Sequence, residues 1–363
     1  MNIKPKEATS IINSLIGGVV PKIGVQHITV GRSSEINAMV TALEEVKNGH
    51  SMVKFWIGDF GSGKSFMLHL LNTVALKQKF VVANADFTPD NRLYSNDGKG
   101  VALYAAIMDN IAIQTKPEGG ALPTLLEKWI EQLITKTAED NAILLTEIRD
   151  ENYLGLIQNN IMKTINEITE VGGFVSMGYS GFMINLDEAI NLYKISTSTM
   201  REKNYEKILS IYNDCFQGKV GNLFINFAGT KEVLENLRRG FFSYDALKTR
   251  LSTNKFETAV IKLLPLDHNE IFVLLKKLKE IFDFNYKTQI DISDDEIQQF
   301  MEELFNKPGA SEFLTPREVI RDFLNILNII RQNPNVDKSI LFGEVEVYDE
   351  RPDETGLDGI EEL

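Results

Sequence analysis

The chain has 363 residues, 43% of them apolar, and a formal net charge of −13. That is apolar matter for one large core and a smaller one, so two packed units are expected, while the acidity excludes a protein coated in basic surface and leaves DNA contact to a local patch. A single cysteine, Cys215, excludes an intrachain disulfide and a C-x-x-C zinc pair, no apolar stretch reaches bilayer length, and Met1 to Lys6 lacks a secretion signal's apolar segment; a cytoplasmic protein with no membrane contact is expected.

Residues 1–30 read as a helical lead-in. Val30-Gly31-Arg32-Ser33-Ser34-Glu35-Ile36 then opens an amphipathic helix carried by Ile36, Met39, Val40, Leu43 and Val46, and its Gly31-Arg32 loop is a candidate to close over an adenine. The apolar run Met52 to Ile57, a strand, leads into Gly58-Asp59-Phe60-Gly61-Ser62-Gly63-Lys64-Ser65, and a helix follows from Phe66 to Lys77. Strand, G-x-x-x-x-G-K-[ST], helix is the setting of a phosphate-binding loop: the glycines let the backbone turn its N–H groups inward, Lys64 reaches the β- and γ-phosphates, and the Ser65 hydroxyl is placed for Mg²⁺. The bland alternative is a glycine-rich turn that binds nothing.

Phe80 to Ala85 is the next strand, closed by Asp86 and the turn Thr88-Pro89-Asp90. From about 100 to 171 the apolar spacing is helical, with Leu125, Trp129, Leu133, Leu154, Ile157, Ile161, Ile165 and Ile168 in phase, and Gly172 and Gly173 follow. Gly181 to Leu186 then reads as a buried strand ending in Asp187-Glu188, with Asn185 unaccounted for inside it. A parallel sheet brings strand ends to one edge, where Asp187 would hold Mg²⁺ and Glu188 would orient the attacking water; taken alone, the two acids read equally well as a helix cap.

Leu223 to Ala228 is a further strand, after which Thr230 is either a γ-phosphate sensor, an N-cap, or both. Leu237 to Leu251 is basic and aromatic in an acidic chain; Arg250 there is an arginine finger reaching into a neighbouring subunit, a nucleic-acid contact or part of an exposed helix. A last strand, Ala259 to Leu263, gives way to helices up to Gln332, one of them started by Thr315 as cap and Pro316 at the first position; Arg317 in its first turn faces either a nucleotide or solvent. From Glu344 to Leu363 nine acidic residues face one basic, Arg351, so this end reads as a mobile tail, either merely solvating or, through Leu357, Ile360 and Leu363, a docking peptide.

This order of motifs resembles an AAA+ ATPase of the origin-recognition and STAND-like branch. Gly18-Val19-Val20-Pro21, Asp86 to Asp90, Arg239 to Leu247 and Leu314 to Glu318 narrow the resemblance to the BREX-system ATP-binding family of bacterial anti-phage defence islands. The resemblance implies an α/β P-loop fold, a three-layer parallel-sheet sandwich over 31–265 with a helical insertion at about 100–171, a helical lid over 266–335 and an acidic tail over 336–363. It also implies ATP and Mg²⁺ as ligands; contacts from Gly31, Arg32, Gly58, Phe60, Gly61, Ser62, Gly63, Lys64, Ser65 and Phe66; metal and water chemistry at Ser65, Asp187 and Glu188; sensing at Thr230 and Arg317; and a trans-acting Arg250. The partners it implies are further copies of the chain and defence proteins such as a helicase, a nuclease or the TerB-like protein of Shango-type systems, with DNA as the object. The expectation is an ATP-hydrolysing motor or switch; a nucleotide-gated scaffold without turnover is the alternative, and a replication-initiator-like DNA binder ranks third.

Overall fold

The computed structural model describes residues 3–167, 170–252, 259–307 and 315–344. Most of the expected tail, Leu314 of the family motif, and Ile168 therefore lie outside the described residues. The chain divides into two compact units: Met1–Ser33 with Gly58–Thr73 and Leu263–Leu363, and Ser34–Ile57 with Val74–Lys262.

The second unit holds a five-stranded sheet in the order β2-β3-β4-β1-β5, built from β1 (Ser51–Gly58), β2 (Val81–Asp86), β3 (Phe182–Asp187), β4 (Leu223–Gly229) and β5 (Val260–Leu263). The pairs β1/β4, β4/β3 and β3/β2 are parallel. All eight residues of β1 are buried, which is why the strand reads as an apolar run with little alternation, interrupted only by Lys54 between Met52 and Ile57. Period-2 side-chain alternation gives the sheet two different faces. One carries Val53, Phe55, Ile225, Phe227, Leu186 and Ala85 into a core completed by Tyr205 and Ile208 of α9 (Ser198–Phe216) and by Leu247 of α11 (Asp245–Leu251). Cys215 joins that core, and burial, with Asp214 beside it, pushes its thiol up to about 11, so it stays protonated.

The other face answers the question Asn185 posed. Asn84, Asn185 and Asn226 stand opposite one another on β2, β3 and β4. Trp56 Nε1 donates to Asn226 Oδ1 at 2.9 Å, Asn226 Nδ2 to Asn185 Oδ1 at 2.9 Å, and Asn185 Nδ2 to Asn84 Oδ1 at 3.0 Å. A row of amides thus crosses the sheet with its buried groups mutually satisfied. Asn226→Leu removes the acceptor of the Trp56 indole and the donor to Asn185 Oδ1, and urea unfolding should show a loss of about 1–3 kcal/mol, the scale of one buried donor left without its acceptor; a loss under ~0.5 kcal/mol would show that the row adds nothing to stability.

The region from 100 to 171 is helical in pieces: α4 (Lys99–Asp109), α5 (Leu122–Asp140) and α6 (Leu154–Glu167). Helix continues past residue 171: Gly172 and Gly173 lie inside α7 (Glu170–Ser176). Val171, Phe174 and Met177 are spaced to face the core with Leu125, Ile113 and Phe182, and their burial outweighs the roughly 1 kcal/mol per glycine that a helix interior loses.

In the first unit, α12 (His268–Tyr286), α13 (Asp294–Phe305) and α14 (Pro316–Gln332) form the helical bundle expected as a lid. The lead-in helix α1 (Pro5–Ile16) belongs with them: it packs on α12 and α14 and buries Ile11 and Ile12 in their core. A short helix, α15 (Lys338–Glu344), follows α14 and buries Phe342 against Phe300, so the segment expected to be tail from 336 onward begins as structure. Among the described residues no helix is long and apolar enough to cross a membrane.

Candidate functional site

The phosphate loop runs from Gly58 into α3 (Lys64–Lys77) in the first unit. Space and backbone angle both demand its glycines. A Cβ on Gly58 would come within 2.4 Å of Ser62 Oγ and 2.6 Å of the Leu263 carbonyl, and Gly61 and Gly63 hold φ of 77° and 90°, angles at which side-chain-bearing residues are strained. The Lys64 ammonium is folded back on its own loop, donating to the carbonyls of Gly58 at 3.0 Å and Asp59 at 2.8 Å. Ser62 Oγ is buried without a hydrogen-bond partner.

Arg32 is buried at 7% exposure, and its Nη2 donates to the Ser62 carbonyl at 2.8 Å, so it grips the loop itself. Gly31 before it, at φ 65°, leaves no room for a side chain: a Cβ would fall 1.8 Å from Glu270 Oε1, the carboxylate that closes the capping box of α12. From α14, Thr315 stands so close to Gly61 that a Cβ there would lie 2.9 Å from Thr315 Cβ, and the Arg317 guanidinium lies 5.4 Å from the centre of the Phe60 ring. α14 starts as its sequence predicts, Thr315 Oγ1 accepting from Glu318 N and the Glu318 carboxylate accepting from Thr315 N. Phe66 packs against the bundle core. Gly31, Arg32, the loop residues 58–65 and Arg317 are therefore neighbours in one unit. The lid contacts at Phe60 and Gly61 are what sequence reading missed.

The acidic pair lies in the second unit, at the sheet edge where β3 and β4 end. Glu188 has φ 57°, a left-handed conformation rare for a residue with a side chain. The turn is held from both sides: Asp187 Oδ1 accepts from Glu188 N at 2.8 Å, and Ala189 N donates to the Ala228 carbonyl at 3.0 Å. Strain of this kind persists where surrounding structure enforces it, and it clusters at reactive positions. On the same edge Thr230 precedes α10 (Lys231–Glu235), but its hydroxyl does not cap that helix; Thr230 Oγ1 is buried with no partner. A helix cap would have used the atom.

Of the basic stretch, Arg239 is turned inward: its Nη2 donates to the carbonyls of Tyr193 at 3.3 Å and Ile195 at 3.2 Å, while the Tyr205 hydroxyl donates to its backbone carbonyl. Burial pushes the Tyr205 phenol up, keeping it a donor. Gly240 follows with backbone carbonyls of Glu232, Asn236 and Val233 crowding where a Cβ would be. This clamp sets the start of α11, from whose last turn exposed Arg250 lies against α9, its Nε donating to Asn213 Oδ1 at 3.3 Å.

Residue types on the two constellations suit a magnesium nucleotide: a cationic loop for phosphates, hydroxyl and carboxylate oxygens for a hard cation, and two buried hydroxyls, on Ser62 and Thr230, with hydrogen-bonding capacity unused. Among the described residues no cluster of three or more His, Cys, Asp or Glu side chains could hold a metal ion.

Among solved structures, the chain is similar to domain III of the Thermotoga maritima replication initiation protein DnaA (12% identity, 88% of this chain and 94% of that one, TM-score 0.43). It is also similar to Cdc6p from Pyrobaculum aerophilum (12%, 84% and 62%, 0.43) and to Drosophila ORC bound to DNA (12%, 86% and 64%, 0.45). The chain spans under two thirds of the latter two. No curated protein matches it. The family described as BREX system ATP-binding protein BrxC/D matches residues 3–176 and 173–346, almost the whole chain. The chain belongs to that BREX ATP-binding family, and its fold is α/β, a five-stranded sheet with a phosphate loop after β1.

Proposed function

We propose that this protein binds ATP with Mg²⁺ and hydrolyses it as the motor or switch of a cytoplasmic anti-phage complex that acts on DNA. The observation that carries the reading is the loop itself: glycines that nothing larger could replace, clamped by Arg32 and carrying Lys64. Lys64 exchanges the carbonyls of Gly58 and Asp59 for the β- and γ-phosphate oxygens, a gain because the new acceptors are charged. Ser65 and Asp187 are the residues that would hold Mg²⁺, which would supply charge neutralisation on the triphosphate. Glu188 accepts a hydrogen bond from the attacking water, and Thr230 donates its unused hydroxyl to the γ-phosphate end. Arg250, exposed on α11, serves a neighbouring copy, which makes turnover depend on assembly; helicase, nuclease or TerB-like partners would receive the resulting change of shape.

Lys64→Ala tests the reading. Titration with a fluorescent ATP analogue should show affinity weakened about 10- to 100-fold, the worth of charge-assisted hydrogen bonds at about 1.5–3 kcal/mol. Unchanged binding would remove the loop from the account.

A further inference from the structure

Phe60 is the one aromatic residue of the phosphate loop, and 38% of its surface is exposed. An exposed apolar side chain is ordinary by itself, so what matters is what the ring touches. Its neighbour explains the placement: the Arg317 guanidinium sits 5.4 Å from the ring centre, within cation–π range. One residue on, Thr315 leaves no room for a side chain at Gly61, where a Cβ would lie 2.9 Å from Thr315 Cβ. These two contacts come from the first turn of α14, a 17-residue helix fixed to the bundle by Val319, Phe323, Leu324 and Leu327. An arginine has about 2 kcal/mol of rotamer entropy, most of it free in an exposed first turn; the ring reduces that freedom beside the loop.

We propose that Phe60 is a positioning residue for Arg317: its ring seats the guanidinium at the phosphate loop, so that the lid helix and the loop answer to a triphosphate together. The inference rests on the nucleotide reading above and deepens it. Without the seat, Arg317 must be ordered at the moment of binding, and affinity falls by what preorganisation had supplied. An exposed cation–π contact amounts to about two- to fivefold in an equilibrium.

The test is a double-mutant cycle. Phe60→Leu keeps apolar bulk and deletes the ring; its KM for ATP should rise about two- to fivefold while kcat moves less, and Phe60→Trp, with the better π face, should match or improve on wild type. In Arg317→Ala, the Phe60→Leu change should add nothing further. Phe60→Leu with wild-type KM, or with an effect that multiplies undiminished in the Arg317→Ala background, overturns the assignment. If the wild-type protein binds no nucleotide, the nucleotide reading falls and takes this one with it; if the wild type binds and Phe60→Leu behaves like it, this one falls alone.

Discussion

Glu188→Gln should bind ATP within a few-fold of wild type and lose at least about 10²-fold in turnover, the scale of a missing general base. The exchange is close to isosteric, and glutamine tolerates the left-handed backbone at φ 57° no worse than glutamate does, so the turn between Asp187 and Ala189 is retained. What changes is the acceptor for a proton from water. Rapid-quench measurement of ATP cleavage, alongside equilibrium binding, separates the two effects. The same variant decides between motor and scaffold. Phage protection that survives without cleavage would make ATP a structural ligand and Glu188 a spectator.

Arg250→Ala should spare ATP binding and lower turnover about 10³- to 10⁵-fold if the arginine completes a neighbour's site. Its side chain is exposed at the end of α11, where Nε donates to Asn213 Oδ1 at 3.3 Å, so truncating it opens no cavity in the core. Such an arginine predicts more than a loss. The wild-type rate per subunit should rise with protein concentration, and mixing Arg250→Ala with Lys64→Ala subunits should recover part of the activity, since each supplies what the other lacks. Equal turnover in Arg250→Ala and wild type would assign the residue to the surface of α11, and a mixture as inactive as its parts would argue against action in trans.

The elements that were legible in the sequence are those whose cause is local. The glycines around Lys64, the cap at Thr315-Pro316 and the strand ending in Asp187-Glu188 each declare themselves within about ten residues, because turn angles, caps and buried strands are set by near neighbours. Pairings between distant residues were not legible. Nothing near Phe60 announces Arg317, and the strain at Glu188 depends on β4 holding Ala189. Asn185 looked like an intruder because its partners are on other strands, although a trace existed: Asn84 and Asn185 each stand two residues before an aspartate that ends the strand. That helix runs on through Gly172 and Gly173 was not legible either, because it depends on burial of Phe174 and Met177 against distant residues, which outweighs glycine's poor helix propensity.

The row of amides also fixes a height. If β3 slid by one residue against its neighbours, Asp187 would turn to the opposite side of the sheet and the Leu186 side chain would take its place. Such a slip would break the bonds Asn185 makes to Asn84 and to Asn226 in a single step, with no intermediate setting in which one survives. The carboxylate's elevation is therefore a choice between discrete rungs, and any chemistry at Asp187 that tolerates little error in position would inherit that discreteness from three asparagines inside the sheet.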